Sequence, residues 1–275
     1  MATKEYFLPQ SVEEATKLLA QHGSSLLVMA GGTLVMPLIN EGASMPDMVM
    51  GLRQTGLDTV AASNGSISIG AATTMTQMTA LTQIPLLQQA ANHIGGWQIR
   101  NVGTVGGNLF APPPAGDFAT ALLALDAQVN LVSAKGQRAL PMADFYTGFL
   151  TTILEPGELV SHIDVSLPAG RTAFLKLSRK KANTPSIVSV AVCVVVDGGK
   201  VKDARIALNG AGDFPQRAKR AEARLVGSRL DDSAIAAAAT AAKEDCHPFT
   251  DAIASEWYRQ RMVEVFVKRA LAQVA

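Results

Sequence analysis

Two glycine clusters are the residues of this chain best suited to bind a ligand. One is Ala30-Gly31-Gly32-Thr33, and the other is Thr104-Val105-Gly106-Gly107-Asn108. Glycine permits positive φ angles and lets a ligand approach the backbone N–H groups, and successive N–H groups in such turns form a concave anion site. Together the clusters could hold both phosphates of a dinucleotide without an arginine. Either cluster alone is better explained as a tight turn, because short glycine motifs are weak signals.

Other kinds of chemistry find less support in the sequence. The chain has four histidines: His22, His93, His162 and His247. None of them has a second ligand at helical or turn spacing, so a metal site is not expected. Cys193 and Cys246 are too few for an iron–sulfur cluster or a four-sulfur zinc site. There is no G-x-S-x-G elbow, no P-loop and no G-x-G-x-x-G, so we assign no catalytic residue to this chain.

Composition narrows the class of protein further. The chain has 275 residues, 48% of them hydrophobic, and a net charge of +1. Such a chain can bury a large core, but it lacks the basic surface that nucleic-acid binding needs. No apolar run reaches the length of a membrane span, and the N-terminus does not resemble a signal peptide. We therefore expect a cytoplasmic protein without a membrane span.

Regular elements are predicted on both sides of the clusters. Residues 11–23 form a helix in which Ser11 and Glu14 make a capping box. The short strand Leu26–Met29 runs directly into the first cluster, and a helix begins near Asp117, after the second. The other elements predicted before residue 170 are strands at 48–52, 59–62, 66–71, 128–133, 138–142 and 159–167, and a helix at 84–94.

The character of the chain changes after Pro168. Three strands are predicted first, at 174–178, 187–196 and 201–208. Three helices follow, at 217–226, 232–243 and 255–274. We therefore place a domain boundary near residue 170.

The second cluster carries a family resemblance. The segment from Ile99 to Asn108 reads I-R-N-V-G-T-V-G-G-N. It resembles the second FAD loop, I-R-N-x-x-T-x-G-G-N, of the flavoprotein subunits of molybdenum hydroxylases, the xanthine dehydrogenase and carbon monoxide dehydrogenase family. Ala30-Gly31-Gly32-Thr33 resembles the first loop of that family, and Asp117 follows Asn108 at the family's spacing. Residues 174–179 and 258–271 resemble its C-terminal domain, so the resemblance spans nearly the whole chain.

This resemblance implies an α+β fold with two domains. The first, residues 1–170, would be a two-lobed α/β FAD-binding domain of the PCMH type, with lobes at about 1–55 and 56–170. The second, residues 171–275, would be a small α+β domain with a three-stranded antiparallel sheet and helices. This division agrees with the boundary placed near residue 170.

The resemblance also implies a set of cofactor-binding residues: Met29, Ala30, Gly31, Gly32, Thr33, Leu34, Thr104, Gly106, Gly107, Asn108, Asp117, Val160 and Lys176. The backbone of both loops and the Thr104 hydroxyl would hold the FAD diphosphate. Asp117 is equally well explained as a helix N-cap, and Lys176 as an exposed strand residue. Leu34 stands where many relatives have a polar residue, so one contact there is lost or made by backbone. No histidine lies in either loop, so the FAD should be non-covalent.

The function implied is electron transfer within a larger complex. A large partner subunit would carry the molybdenum cofactor, and a small one would carry [2Fe–2S] clusters. This chain would take electrons from those clusters and pass them to a small-molecule acceptor. A dimer of heterotrimers is one assembly that the resemblance allows. Two alternatives stay open: a free-standing FAD-dependent oxidase or dehydrogenase, and a non-catalytic nucleotide-binding scaffold.

Overall fold

The first lobe is built on a small parallel sheet that ends at the first glycine cluster. The computed structural model describes residues 3–275. The elements of this lobe are β1 (Glu5–Phe7), α1 (Val12–His22), β2 (Leu26–Met29), α2 (Val35–Asn40) and β3 (Met48–Gly51). The strands are parallel in the order β1-β3-β2. The cluster after β2 therefore lies at the carboxyl edge of the sheet, where ligands of α/β proteins usually bind.

The start of α1 follows only half of the capping box expected there. The Ser11 hydroxyl accepts a hydrogen bond from the Glu14 amide, 3.1 Å away. The Glu14 carboxylate accepts from the amide of Gln10, at 2.8 Å, one residue before the cap. The expected return bond to Ser11 is therefore wrong, because the carboxylate pairs with the preceding amide.

The second lobe combines an antiparallel sheet with five short helices. Its strands are β4 (Val60–Ser63), β5 (Ser66–Gly70), β6 (Gln128–Ser133), β7 (Gly136–Pro141), β8 (Tyr146–Gly148), β9 (Thr151–Thr152) and β10 (Leu159–Ser166). Its helices are α3 (Met75–Thr79), α4 (Pro85–Asn92), α5 (Trp97–Val102), α6 (Val105–Leu109) and α7 (Asp117–Ala124). Five strands pair in the order β4-β5-β10-β6-β7. The predicted turn at Asn64-Gly65 is confirmed, with φ angles of 46° and 79°.

The C-terminal part has its own sheet, covered by helices. Its elements are β11 (Arg171–Ser178), β12 (Ser186–Asp197), β13 (Lys200–Asn209), β14 (Gln216–Arg217), α8 (Lys219–Leu225), α9 (Asp232–Ala242) and α10 (Glu256–Val274). All four strands are antiparallel neighbours in that order. The expected three-stranded sheet is therefore wrong by one strand. At two residues, β14 is too short to leave a periodic signal in the sequence.

Helix α7 joins the two parts of the chain. All eight of its residues are buried, and it packs against α4 on one side and against β12 and β13 on the other. Such all-round burial explains why its sequence, DFATALLA, has Thr120 as its single polar residue after Asp117. Asp117 at its start is therefore held where the two sheets meet. Within residues 3–275, no helix is long and apolar enough to cross a membrane.

Candidate dinucleotide site

The first glycine loop, residues 30–34, exposes a run of free backbone donors. It connects β2 to α2, and Gly32 has a φ of +75°. In the described chain, the amides of Gly31, Gly32, Thr33 and Leu34 have no protein acceptor. Residues 29–34 also contain no acidic side chain. Consecutive amides around a positive-φ glycine form a cradle for an anion, and this one fits a diphosphate.

Gly31 lets this loop lie directly against the segment before the second cluster. A Cβ at Gly31 would overlap the carbonyl oxygen of Val102 and would lie 2.7 Å from its carbonyl carbon. A Cβ at Gly103 would lie 3.5 Å from the Thr33 hydroxyl oxygen. Backbone packs on backbone here, so the absence of a side chain at Gly31 brings the two clusters side by side.

The second cluster is a short helix, α6, and its amides are already engaged. The amide of Gly106 donates to the carbonyl of Ala71 at 2.7 Å, and that of Asn108 to the carbonyl of Thr104 at 3.0 Å. The amide of Gly107 donates to the Thr104 hydroxyl oxygen at 3.1 Å. The amides of residues 106–108 therefore already have acceptors within the protein, and the part expected of them in binding the diphosphate stays a prediction. The Thr104 hydroxyl keeps its own hydrogen and remains available as a donor.

The glycines of α6 have a packing role. A Cβ at Gly106 would lie 2.8 Å from the Cβ and 2.9 Å from the carbonyl oxygen of Ala71. Both distances are shorter than normal side-chain contacts, so only glycine lets α6 approach the end of β5 this closely. A Cβ at Gly107 would meet the Thr104 hydroxyl at 2.9 Å, which would disturb the cap of α6.

Asp117 and Lys176 form a buried ion pair between the two parts of the chain. The Lys176 ammonium lies 2.7 Å from Oδ2 of Asp117, and the two side chains are only 6% and 4% exposed. The Ser186 hydroxyl donates to the other carboxylate oxygen at 2.6 Å. Gly116, in the left-handed region, is the N-cap of α7. Both alternative explanations are therefore wrong: Asp117 is not the N-cap, and Lys176 is not an exposed strand residue.

Two further hydrogen bonds extend from this ion pair, one joining the first turn of α7 to the second cluster and one joining Lys176 to His93. The side-chain oxygen of Asn108 accepts from the amide of Phe118 at 3.1 Å, which ties α6 to the first turn of α7. Lys176 also donates to the carbonyl of His93 at 3.1 Å. Partial burial lowers the pKa of His93, and the positive charge of Lys176 lowers it further.

The remaining predicted site residues lie beside the loops or within the core. The carbonyl of Met29 accepts from the amide of Leu52 at 3.0 Å, which fixes the end of β2. Ala30 packs against the core of the first lobe, and Leu34 precedes α2. Val160 is 5% exposed and belongs to the core of the second lobe, beside a register shift in β10. The structure thus brings Gly31 and Thr33 against residues 102–103, directly before Thr104, and it joins Asn108 to the first turn of α7, where Asp117 pairs with Lys176.

Three residues that shape this region had no role in the sequence analysis. Ser186 binds Asp117, and Asn209 donates to the carbonyls of Pro114 and Ala115 at 2.8 and 3.0 Å. Arg100 donates to the carbonyls of residues 94 and 95, just after α4, at 3.1 and 3.3 Å. Arg100 lies within the I-R-N motif, so the sequence pattern could have identified it as a structural residue. Ser186 and Asn209 are single polar residues at strand ends, where sequence gives no signal of a partner.

The cysteines and acidic residues suggest no other chemistry. Both cysteines are buried, and burial raises the pKa of Cys246 to about 12 and also raises that of Cys193. Their thiols therefore stay protonated and unreactive at neutral pH. Across residues 3–275, no group of three or more His, Cys, Asp or Glu side chains is placed to hold a metal ion.

Comparison with known proteins places the chain in a family. The model for the FAD binding domain in molybdopterin dehydrogenase matches residues 2–169, and that for the CO dehydrogenase flavoprotein C-terminal domain matches residues 173–274. The glyceraldehyde dehydrogenase medium chain of Sulfolobus acidocaldarius is 31% identical over 275 residues, 98% of each chain. The carbon monoxide dehydrogenase medium chain of Hydrogenophaga pseudoflava is 32% identical over 277 residues, 97% of this chain and 95% of the relative.

Solved structures agree. Carbon monoxide dehydrogenase from Hydrogenophaga pseudoflava, in a form lacking the Mo-pyranopterin moiety of its molybdenum cofactor, has a chain that matches with a TM-score of 0.94 and 32% identity, over 98% of this chain and 96% of that one. A chain of quinoline 2-oxidoreductase from Pseudomonas putida 86 matches with a TM-score of 0.91 and 28% identity, over the same shares.

These matches define the class of protein as the flavoprotein subunit of a molybdenum-dependent oxidoreductase. The chain belongs to the FAD-binding medium-subunit family of the molybdenum hydroxylases, the xanthine dehydrogenase and carbon monoxide dehydrogenase flavoprotein family. The resemblance seen in the sequence and the α+β fold class that it implied are confirmed.

Proposed function

We propose that this chain binds one FAD non-covalently and is the subunit through which electrons leave a molybdenum hydroxylase complex. The observation that carries the proposal is the first glycine loop, where four successive amides are free. The loop is held against the second cluster by the glycine at position 31. FAD, when bound, supplies the electron-accepting and electron-donating chemistry, and the protein holds and tunes it.

Each group of residues has a proposed part in holding FAD. The amides of residues 31–34 bind the diphosphate, and the Thr104 hydroxyl adds one donor. The Asp117 carboxylate still has acceptor capacity beside Lys176 and Ser186, because two ionised oxygens offer about four lone-pair sites. It can therefore accept from a hydroxyl of FAD. Val160 and Lys176 are assigned to the flavin surroundings on family likeness alone.

The complex proposed has two partner subunits. A large one would carry the molybdenum cofactor and oxidise the substrate, and a small one would carry [2Fe–2S] clusters. Support comes from the relatives, whose names include "medium chain" and "FAD-subunit". The external acceptor is proposed to be a small molecule. The higher assembly, the domain boundary near residue 170 and the cytoplasmic location stay predictions.

A flavin assay tests the first part of the proposal. The full chain, purified with added FAD, should show flavin absorption at one FAD per chain, and denaturation should release all of the FAD into solution. A chain that binds no flavin would favour the scaffold hypothesis and overturn the proposal. Flavin that stays attached to the denatured protein would contradict the non-covalent assignment.

Electron transfer is tested in the assembled complex. Substrate should reduce the flavin only when both partner subunits are present, because this chain is proposed to receive electrons from their clusters. If a small organic substrate reduced the flavin of the isolated chain, the free-standing oxidase hypothesis would replace the proposal.

A further inference from the structure

We propose that the C-terminal sheet shapes the FAD site from outside it, through Ser186 and Asn209, which act as positioning residues. This inference rests on the proposed FAD function. Both side chains are completely buried, and both stand at the ends of strands that lie against α7. Neither belongs to the glycine loops. Their partners are the residues that connect the second cluster to α7.

The connecting segment, residues 110–116, includes three consecutive prolines, which restrict its backbone. Asn209 fixes its end. The side-chain nitrogen of Asn209 donates to the carbonyls of Pro114 and Ala115 at 2.8 and 3.0 Å, and its oxygen accepts from the amide of Gly210 at 2.9 Å. Both sides of the amide group are thus engaged, which fixes its orientation. The segment therefore enters α7 at a position that β13 determines.

Ser186 fixes the Asp117 carboxylate. One carboxylate oxygen accepts from Lys176 at 2.7 Å and the other from Ser186 at 2.6 Å. With Lys176 alone, the carboxylate could rotate about its Cβ–Cγ bond while keeping the ion pair. The second donor removes that freedom. Because hydrogen bonds to a charged group are about twice as strong as neutral ones, this bond holds the carboxylate in one plane.

The next residue carries this constraint to the second cluster. The Phe118 amide donates to the side-chain oxygen of Asn108, so the position of the first turn of α7 determines where Asn108 is held. Asp117 is the proposed contact with an FAD hydroxyl, and Asn108 belongs to the second cluster. The C-terminal sheet, which includes neither glycine loop, thus fixes one proposed FAD contact and the position of the second cluster.

The test compares three serine variants of the full chain. Ser186→Ala removes the donor to Asp117, and Ser186→Thr keeps a hydroxyl. Ser189→Ala is the matched control: Ser189 lies on the same strand, is equally buried, and its hydroxyl has no partner among the described residues. The FAD dissociation constant is measured by fluorescence titration of the folded protein, and the environment of bound flavin by visible circular dichroism.

We expect Ser186→Ala to weaken FAD binding about tenfold and to change the circular dichroism of the flavin. Ser186→Thr should recover most of the affinity, and Ser189→Ala should match the wild type. If Ser186→Ala and Ser189→Ala have the same affinity and spectrum, the inference is overturned while FAD binding stands. A lower melting temperature of the flavin-free protein with unchanged affinity would likewise show a merely structural role. If the wild type binds no FAD, the proposed function itself fails.

A variant of Asn209 and a measurement on the wild type make the test independent of the substitutions at Ser186. Asn209→Asp keeps the size and the acceptor for Gly210 but loses the donors to Pro114 and Ala115, and it should also weaken FAD binding about tenfold. In the wild type, FAD should slow amide hydrogen exchange in residues 115–118 and 208–212 as well as in the loops. Unchanged exchange in both segments would overturn the inference.

Discussion

The two glycine clusters contain the same Gly-Gly dipeptide but use it differently. In the first, residues 31–34 present four amides that have no acceptor within the described chain. In the second, the amides of residues 106–108 all have acceptors within the protein. The glycine at position 106 is needed because α6 lies against Ala71. The first cluster leaves its amides available for a ligand, whereas the amides of the second stabilise the fold.

This difference shows that a glycine-rich motif does not by itself identify which backbone amides are free. The motif that identified the family, residues 99–108, holds mainly packing and capping residues. The weaker motif, residues 30–33, holds the free donors. The longer motif supports the first loop, because Gly31 packs on the carbonyl of Val102, which lies within residues 99–108. Residues 99–108 therefore help to fix the position of residues 30–33.

The largest effect is expected from Gly31→Ala. The new Cβ would overlap the carbonyl of Val102, and backbone cannot yield as a flexible side chain can. The first loop must move away from the second cluster, so we expect FAD affinity to fall by about a hundredfold or more, with a loss of stability of about 1–3 kcal/mol. FAD content per chain and the melting temperature measure the two effects.

Gly96→Ala is the matched control for this variant. Its Cβ would meet only a side-chain atom of Gln98, at 3.5 Å, and its φ of −106° suits alanine. FAD content should stay at the wild-type level. If Gly31→Ala kept full FAD occupancy, the packing of the two clusters would not be what holds the first loop in place.

Gly106→Ala should show the opposite balance between stability and binding. Its Cβ would crowd Ala71 at 2.8 Å, and overpacking of this kind costs about 1–3 kcal/mol of unfolding free energy. The free donors of the first loop are untouched, so the folded fraction should keep most of its FAD. Chemical denaturation and FAD titration measure the two quantities on the same samples. Loss of FAD binding without loss of stability would contradict the assigned roles.

Thr104 caps α6 and is also a proposed donor to the diphosphate, so its variants test a fold role and a binding role in one residue. Thr104→Ala removes the cap of α6, which should cost about 1 kcal/mol of stability, and it also removes the proposed donor to the diphosphate. Thr104→Ser keeps both functions and serves as the control. We expect FAD binding to weaken about tenfold in the alanine variant alone. Equal affinities would show that the hydroxyl only caps the helix.

Much of the fold could be predicted because local signals agreed with it. Leu26–Met29 and the turn at Asn64-Gly65 were predicted from apolar runs and turn residues, and both are confirmed. Strand β14 was missed because two residues carry no period. The second cluster was expected to be a loop, since glycine disfavours helices. It forms α6 because contact with Ala71 and the Thr104 cap outweigh that propensity.

The site was predictable only where a contact leaves a local pattern. The two clusters were found as glycine patterns, and Asp117 and Lys176 through family spacing. The bonds from Ser186 to Asp117 and from Asn209 to Pro114 span 69 and 95 positions. No single sequence records such pairings. Which amides are free also depends on tertiary contacts, so the division of roles between the clusters required the structure.

The smallest expected effect is a pH dependence of the stability that comes from His93, beside Lys176 of the buried ion pair. The first loop contributes no such dependence, since residues 29–34 include no ionisable side chain. His93 is exposed overall, but its ring packs beside that of Phe174, with the two ring centroids 5.7 Å apart. Partial burial and the charge of Lys176 lower its pKa below the ordinary 6.5. The folded state then binds fewer protons than the unfolded state as the pH falls below 6.5, so the stability is complete above that value and declines below it.

His93→Gln removes this titration and should flatten the profile. Because water screens an exposed group, we expect the difference in unfolding free energy between wild type and variant to change by only about 0.3 kcal/mol between about pH 7.5 and about pH 5.5. Chemical denaturation at both pH values measures it, with His247→Gln, an exposed histidine, as the control. A wild type that gained stability relative to His93→Gln at the lower pH would reverse the sign. That result would show that the charge of Lys176 does not lower the pKa of His93, and it would contradict the electrostatic link between His93 and the buried ion pair.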